Sequence, residues 1–150
     1  RSLFDDIIEA ERSDGRRMLL DEHGWTVFVP YFAQFPFEMM LVPQRGMATL
    51  AEATDAELKG LAGALKVSLQ RLDRVLGQVQ SYILSVHQAP SAWLLAEAPG
   101  AYSTYVHIQP FLRAPSLQKF LAGIETAAGQ FLNDAAPEEH ADALRRVVLA

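Results

Sequence analysis

The chain has four histidines, His23, His87, His107 and His140, and no cysteine, so thiolate nucleophiles, disulfides and cysteine-type zinc sites are excluded by inventory. The imidazoles are then the first place to look for metal or nucleophilic chemistry. Over Tyr102–Gln109, strict alternation puts Ser103, Tyr105, His107 and Gln109 on one strand face and Tyr102, Thr104, Val106 and Ile108 on the other. In a preceding strand, His87 shares a face with Ser85 and Ile83, and antiparallel pairing brings it near Tyr105 and His107. Two imidazoles on one sheet face are the beginning of a metal site. They are equally the ordinary content of a solvated strand face, because zinc takes three or four ligands. His23 reads as a turn residue and His140 as part of the first turns of the last helix, where solvent exposure is the ordinary explanation of both.

A second candidate is Leu117-Gln118-Lys119-Phe120-Leu121-Ala122-Gly123-Ile124-Glu125. Lys119 can neutralise a phosphate, Glu125 can accept hydrogen bonds from sugar hydroxyls, and Gly123 permits close backbone approach to a ligand. The competing reading is an amphipathic helix end with surface charges. Other catalytic signatures are missing. There is no Gly-x-Ser-x-Gly elbow, no Gly-rich phosphate loop ending in Lys-Ser/Thr and no His-Glu-x-x-His, and no serine or lysine stands in an evident nucleophile–base pattern.

These groups need a scaffold. At 150 residues, half of them hydrophobic and 21% charged, the chain is one globular domain spanning 1–150, long enough to bury roughly 70% of the surface its unfolded form exposes. A net charge of −5 without a Lys/Arg run argues against nucleic acid. No apolar stretch approaches the roughly 20 residues needed to span a bilayer, so no membrane role is expected. The start lacks a signal-peptide layout, which points to the cytoplasm. The chain also opens without methionine, inside what reads as a helix, as a fragment or a processed chain would.

The elements follow from pattern. Ser2 with Asp5 forms a capping box ahead of Leu3, Phe4, Ile7 and Ile8, and the helix stops at Ser13-Asp14-Gly15. Met18-Leu19-Leu20 and Trp25–Val29 flank a turn at Asp21–Gly24 and predict a hairpin; Phe37–Val42 predicts a third strand. Thr54 with Glu57 caps a long helix carrying Leu58, Leu61, Leu65, Leu69, Leu72 and Leu76 up to Gly77. Ser81–His87 and Tyr102–Gln109 are two more strands. Between them the long segment Gln88–Ala101 carries Trp93-Leu94-Leu95, a candidate surface for a site or a partner. After a turn at Pro115, short helical pieces are expected over Leu117–Leu132, then a helix after Pro137 with Leu144, Val147 and Val148 on one face.

Taken in order, Asp14-Gly15-Arg16-Arg17, Trp25–Pro30, Phe35-Pro36-Phe37-Glu38, Leu41-Val42-Pro43, Leu84–Pro90 with His87, and Pro110–Phe120 run across nearly the whole chain. Together with His-Gln-Ala-Pro and Lys-Phe-Leu-Ala-Gly-x-Glu, they resemble the C-terminal half of galactose-1-phosphate uridylyltransferases. The resemblance implies an α+β, histidine-triad-like domain, with an antiparallel half-barrel sheet of about five strands flanked by helices. It implies a part in exchanging uridylyl groups between UDP-glucose and a hexose 1-phosphate in galactose metabolism. In that family the covalent uridylyl-histidine forms in a His-Pro-His motif of the N-terminal half, and this chain contains no His-Pro-His. A missing N-terminal half and a homodimer are therefore the implied partners, and the chain alone is expected to be inactive.

By the same resemblance Lys119, Phe120 and Glu125 match positions that contact the UDP-sugar, often across the dimer, and Gln130 falls near a glutamine that does so. Ile124 stands where some members have tyrosine. His87 and His107 match two ligands of a structural zinc or iron site, while the ligand position between them is Tyr105 here. Two rival readings remain: a non-enzymatic nucleotide-sugar binding or dimerisation module, and part of another nucleotidyltransferase or phosphorylase on the same fold.

Overall fold

The computed structural model describes residues 2–90, 96 and 100–149. Helix α1, Leu3–Asp14, opens on the expected capping box: the Ser2 amide donates to Asp5 Oδ2 at 2.7 Å and the Asp5 amide to Ser2 Oγ at 3.3 Å. It closes at Gly15, whose φ of 73° is the left-handed conformation glycine adopts without penalty. Strands β1 (Met18–Glu22) and β2 (Trp25–Phe28) form the predicted hairpin. Its two turn residues, His23 and Gly24, both have positive φ, which a tight two-residue hairpin requires.

Strand β3 is Met39–Pro43, two residues later than the pattern placed it. Phe37 takes a φ of 59°, incompatible with a strand, and the Glu38 side chain turns back to accept from the Gln34 and Phe35 amides at 2.9 and 3.0 Å. Local capping by a carboxylate thus overrides the apolar run. Helix α2, Asp55–Val75, carries the second capping box, Thr54 with Glu57. Leu61, Ala64, Ser68 and Leu72 form its buried face, while Leu58 points outward at 42% exposure. At Gly60 an added Cβ would lie 2.1 Å from the His23 carbonyl oxygen, so glycine is what lets α2 approach the hairpin turn.

Strands β4 (Tyr82–His87) and β5 (Tyr105–Pro110) complete an antiparallel sheet of order β1-β2-β3-β5-β4. Ser103 and Thr104, expected in β5, are buried just before it; Ser103 is therefore not on the polar face. The segment after β5 differs most from expectation. Leu112–Ala114 (β6) and Leu117–Gln118 (β7) pair as a small hairpin, and only Ile124–Ala128 (α3) is helical. Pro115 followed by Ser116 at φ 57° is the residue pattern of a type II turn, a stronger local signal than the helical spacing around it. Helix α4, Pro137–Arg146, ends before Val147 and Val148; Val147 is extended and Val148 is exposed. Two adjacent β-branched residues do little to prolong a helix.

The sheet is covered unequally. Trp25, Val27, Val29, Met39, Leu41, Val106 and Ile108 point to one face, where α2 and α4 add Leu61, Ala64, Leu72, Ala141 and Leu144. Phe28, Met40 and Val42 point to the other, where α1 adds Ile8, Phe4 and Ile7. Each strand thus alternates between two cores. β4 shares in neither: Tyr82, Ile83, Leu84 and Val86 are all exposed. Trp93-Leu94-Leu95 lies outside the described residues.

Candidate functional site

The segment after β7 is built around Lys119. Its backbone amide donates to the Phe111 carbonyl at 2.7 Å, continuing the small hairpin, and its side chain turns inward. Nζ lies 3.1 Å from Glu125 Oε1, donates to the Gln34 carbonyl at 2.5 Å and to the Leu132 carbonyl, and sits 5.4 Å from the centre of the Phe35 ring. Three acceptors for three ammonium protons leave a satisfied buried charge. The reading of this segment as a helix end with surface charges is corrected: Lys119 is 8% exposed.

Glu125, at the start of α3, is engaged as fully. Besides Lys119, its carboxylate accepts from the Leu132 amide at 3.1 Å and from the Ala122 amide at 3.3 Å. The bond from the Leu132 amide, then Lys119, hold its pKa below the usual carboxylate range. Lys119 and Glu125 thereby close the loop 119–132 on itself. What this clamp presents is Phe120, 74% exposed, with Leu121 and Ile124 beside it and Gln130 also exposed. An exposed ring is a stacking surface for a base or a sugar face, and an exposed amide offers both donors and acceptors.

Sequence reasoning missed the support beneath this loop. Asn133 Nδ2 donates to the Phe35 carbonyl at 3.3 Å, while its Oδ1 pairs with His140 Nε2 at 3.2 Å. His140 is not the solvent-exposed residue its helical position suggested: it is 5% exposed, with its ring 4.6 Å from Phe37, and burial pushes its pKa down. Glu38, 1% exposed, receives His107 Nε2 on Oε1 at 2.7 Å and the two loop amides on Oε2. Residues 33–35 are thus held by Glu38, Lys119 and Asn133 from three sides. The one sequence signal was an acidic residue embedded in the apolar run Phe35–Val42.

The polar sheet face keeps Tyr105, His107 and Gln109 as alternation placed them, without Ser103. His87 is paired with Tyr105 and Ser85 with His107. The His87 and Tyr105 rings stack at 4.4 Å and 8°, and Phe4 lies 4.6 Å from Tyr105 on its α1 side. His87 Nε2 is 2.8 Å from Ser85 Oγ, a serine–histidine contact not anticipated from spacing. No described residue orients the other imidazole nitrogen, so the contact lacks the third member nucleophilic catalysis uses. For the zinc or iron expected here, this chain offers the two imidazoles His87 and His107. Among the described residues no group of three His, Asp or Glu side chains could hold a metal ion, and the third ligand position of the resemblance is Tyr105, stacked on His87. Glu38 and the 33–35 loop link the Lys119–Gln130 region to the His87–His107 region.

Comparison with known proteins gives the family. Residues 1–150 match the family described as galactose-1-phosphate uridyl transferase, C-terminal domain. The chain is 34% identical over 147 residues to a galactose-1-phosphate uridylyltransferase of Cryptococcus neoformans, a match that covers 95% of this chain and 38% of that protein. A solved uridylyltransferase structure superposes with a TM-score of 0.85 at 33% identity, covering 96% of this chain and 44% of that one. A Hit-like protein from Bartonella henselae shares the fold, at a TM-score of 0.58 and 15% identity over 92% of each chain. The chain therefore spans less than half the length of the uridylyltransferases it matches.

Proposed function

Since the chain belongs to the galactose-1-phosphate uridyl transferase C-terminal domain family, we propose that it serves a UDP-glucose:hexose-1-phosphate uridylyltransferase by supplying UDP-sugar contacts and packing surface, with the nucleophile located elsewhere in the full-length protein. The supporting observation is the Lys119–Glu125 clamp, which uses two charged side chains to hold an aromatic ring and an amide out to solvent. In this reading Phe120 and Gln130 touch the ligand. Lys119 and Glu125 contribute chiefly by fixing the loop, and a direct role for their charges requires a ligand that reaches the clamp. None of the four histidines stands in a His-Pro-His sequence, so the isolated chain is expected to transfer no UMP.

The bare strand β4 is assigned to contact with the remainder of the full-length protein, and the Phe120-Leu121-Ile124 patch to a second copy across a dimer. A cytoplasmic location belongs to the same proposal; the structure itself contains, among the described residues, no helix long and apolar enough to cross a membrane.

The test is calorimetric titration of the full-length protein with UDP-glucose, UDP, UMP and ATP. Phe120→Ala and Gln130→Ala are expected to weaken UDP-glucose binding by about tenfold each, close to 1.4 kcal/mol, with the thermal midpoint unchanged. Lys119→Ala is expected to lower both affinity and midpoint. Unchanged affinity in the two exposed-residue variants would remove the loop from the site. Tight ATP binding with UDP-glucose ignored would favour a different nucleotidyltransferase or phosphorylase.

A further inference from the structure

The resemblance places a structural metal between β4 and β5, and the residues found there are arranged for something else. A metal would cross-link the two strands by drawing His87, His107 and the residue between them onto one ion. In this chain each of the three has a neighbour of its own. His87 lies flat on Tyr105, with rings 4.4 Å apart and 8° from parallel, and its Nε2 is 2.8 Å from Ser85 Oγ. His107 sets its Nε2 2.7 Å from Glu38, a buried carboxylate that also caps the 33–35 loop. Tyr105, in turn, also meets Phe4 of α1, with 4.6 Å between ring centres and the rings tilted by 39°.

We infer that this chain has exchanged the metal cross-link for an aromatic one, a column Phe4–Tyr105–His87 that ties α1 to β5 and β5 to β4, while His107 holds Glu38 and through it the loop beneath Lys119. Drawing His87 onto an ion would unstack it from Tyr105, a loss that a histidine in place of Tyr105 would be needed to offset. The exchange also changes what is coupled. By the resemblance, a metal would join the two strands to each other and to a carboxylate from the rest of the protein, whereas the column includes the first helix, so the order of α1 and of the open edge strand depend on one ring.

The inference relies on the family reading only for where the ion would lie, and its test needs no substrate, so failure of the transfer proposal leaves it standing. Full-length wild type, His87→Ala, Tyr105→Phe, Tyr105→His and the Tyr105→His/His87→Ala double variant are stripped with chelator and dialysed against Zn2+ or Fe2+. Metal per chain and thermal midpoint are then read. Wild type, His87→Ala and Tyr105→Phe are expected to hold equal metal, because any ion bound elsewhere in the protein is common to all. Tyr105→Phe should keep the wild-type midpoint, since it keeps the column. Tyr105→His should hold one more ion per chain and show a metal-dependent rise in midpoint, both lost in the double variant.

Loss of an equivalent of metal in His87→Ala or in Tyr105→Phe would overturn the inference, as it would show the imidazole or the phenol to be a ligand. So would a Tyr105→His protein that folds and gains no ion. Should that variant fail to fold, the comparison of wild type with Tyr105→Phe and His87→Ala decides alone.

Discussion

At one end of the sheet, Arg145 lays its guanidinium on the carbonyls of Arg16 and Met18, at 2.6 and 2.9 Å, and Arg71 reaches the Leu19 carbonyl at 3.4 Å. At the other, β4 has its backbone paired with β5 alone among the described residues, and its apolar side chains are exposed on both faces. The β1 edge is the kind a protein finishes for itself, with long basic side chains covering acceptors that another strand would otherwise use. The β4 edge is left as an isolated domain would not leave it. Its bareness follows from where the helices go: α2 and α4 pack over β1, β2 and β3, and α1 packs over Phe28, Met40 and Val42. The difference teaches that the domain's stability resides at one side of the sheet and its unfinished surface at the other.

The sharpest way to break that comparison is to truncate equivalent leucines on the two sides. Leu72→Ala, at a side chain with no exposure, is expected to cost about 2–5 kcal/mol by chemical denaturation. Leu84→Ala, 38% exposed, should stay within about 1 kcal/mol in this chain and cost more in the full-length protein. Equal losses at both sites would show that β4 is not an open surface.

Next in size is the buried junction between the two candidate regions. Glu38→Ala leaves the Gln34 and Phe35 amides and His107 without their acceptor, and is expected to lower stability by about 1–3 kcal/mol. It should also raise hydrogen exchange at residues 33–35. An unaltered exchange pattern there would mean that Lys119 and Asn133 hold the loop without it.

A smaller, pH-dependent effect belongs to His140. Burial depresses its folded pKa below the ordinary 6.5, so the unfolded chain takes up a proton first as pH falls. Stability is therefore full above about pH 6.5 and declines as the pH drops below it, an effect that His140→Gln should flatten. A wild-type curve already flat between pH 7 and 5 would contradict the burial described. Smallest of all, Val86→Lys on the open strand is expected to change this chain's stability by no more than about 0.5 kcal/mol while reducing its self-association in sedimentation, as lysine does on edge strands.

Much of the fold was legible because its signals are local. Two capping boxes, Gly15 and the His23-Gly24 turn each depend on residues within one turn and appear where the pattern put them; the alternation in β5 holds from Tyr105 on, three residues after the expected start. Ordered short motifs spread along the chain were enough for the family. Where prediction missed, a local signal was overruled by a distant partner or by finer backbone chemistry: Phe37 leaves the strand because Glu38 caps a loop, and Leu117–Gln118 pairs with β6 because Pro115-Ser116 makes a turn.

The sequence by itself determined the residue types of the candidate site: one lysine, one glutamate, an aromatic and two histidines at set spacings, and no cysteine to add. Only the tertiary structure decided the partners of their polar atoms and rings. It turned Lys119 inward onto Glu125, gave His107 to Glu38, stacked His87 on Tyr105 and buried His140 against Phe37. The reason is that a polar side chain taken out of water must find a partner, and that partner is chosen by the packing of strands and loops tens of residues apart in the chain, which spacing along the chain does not encode.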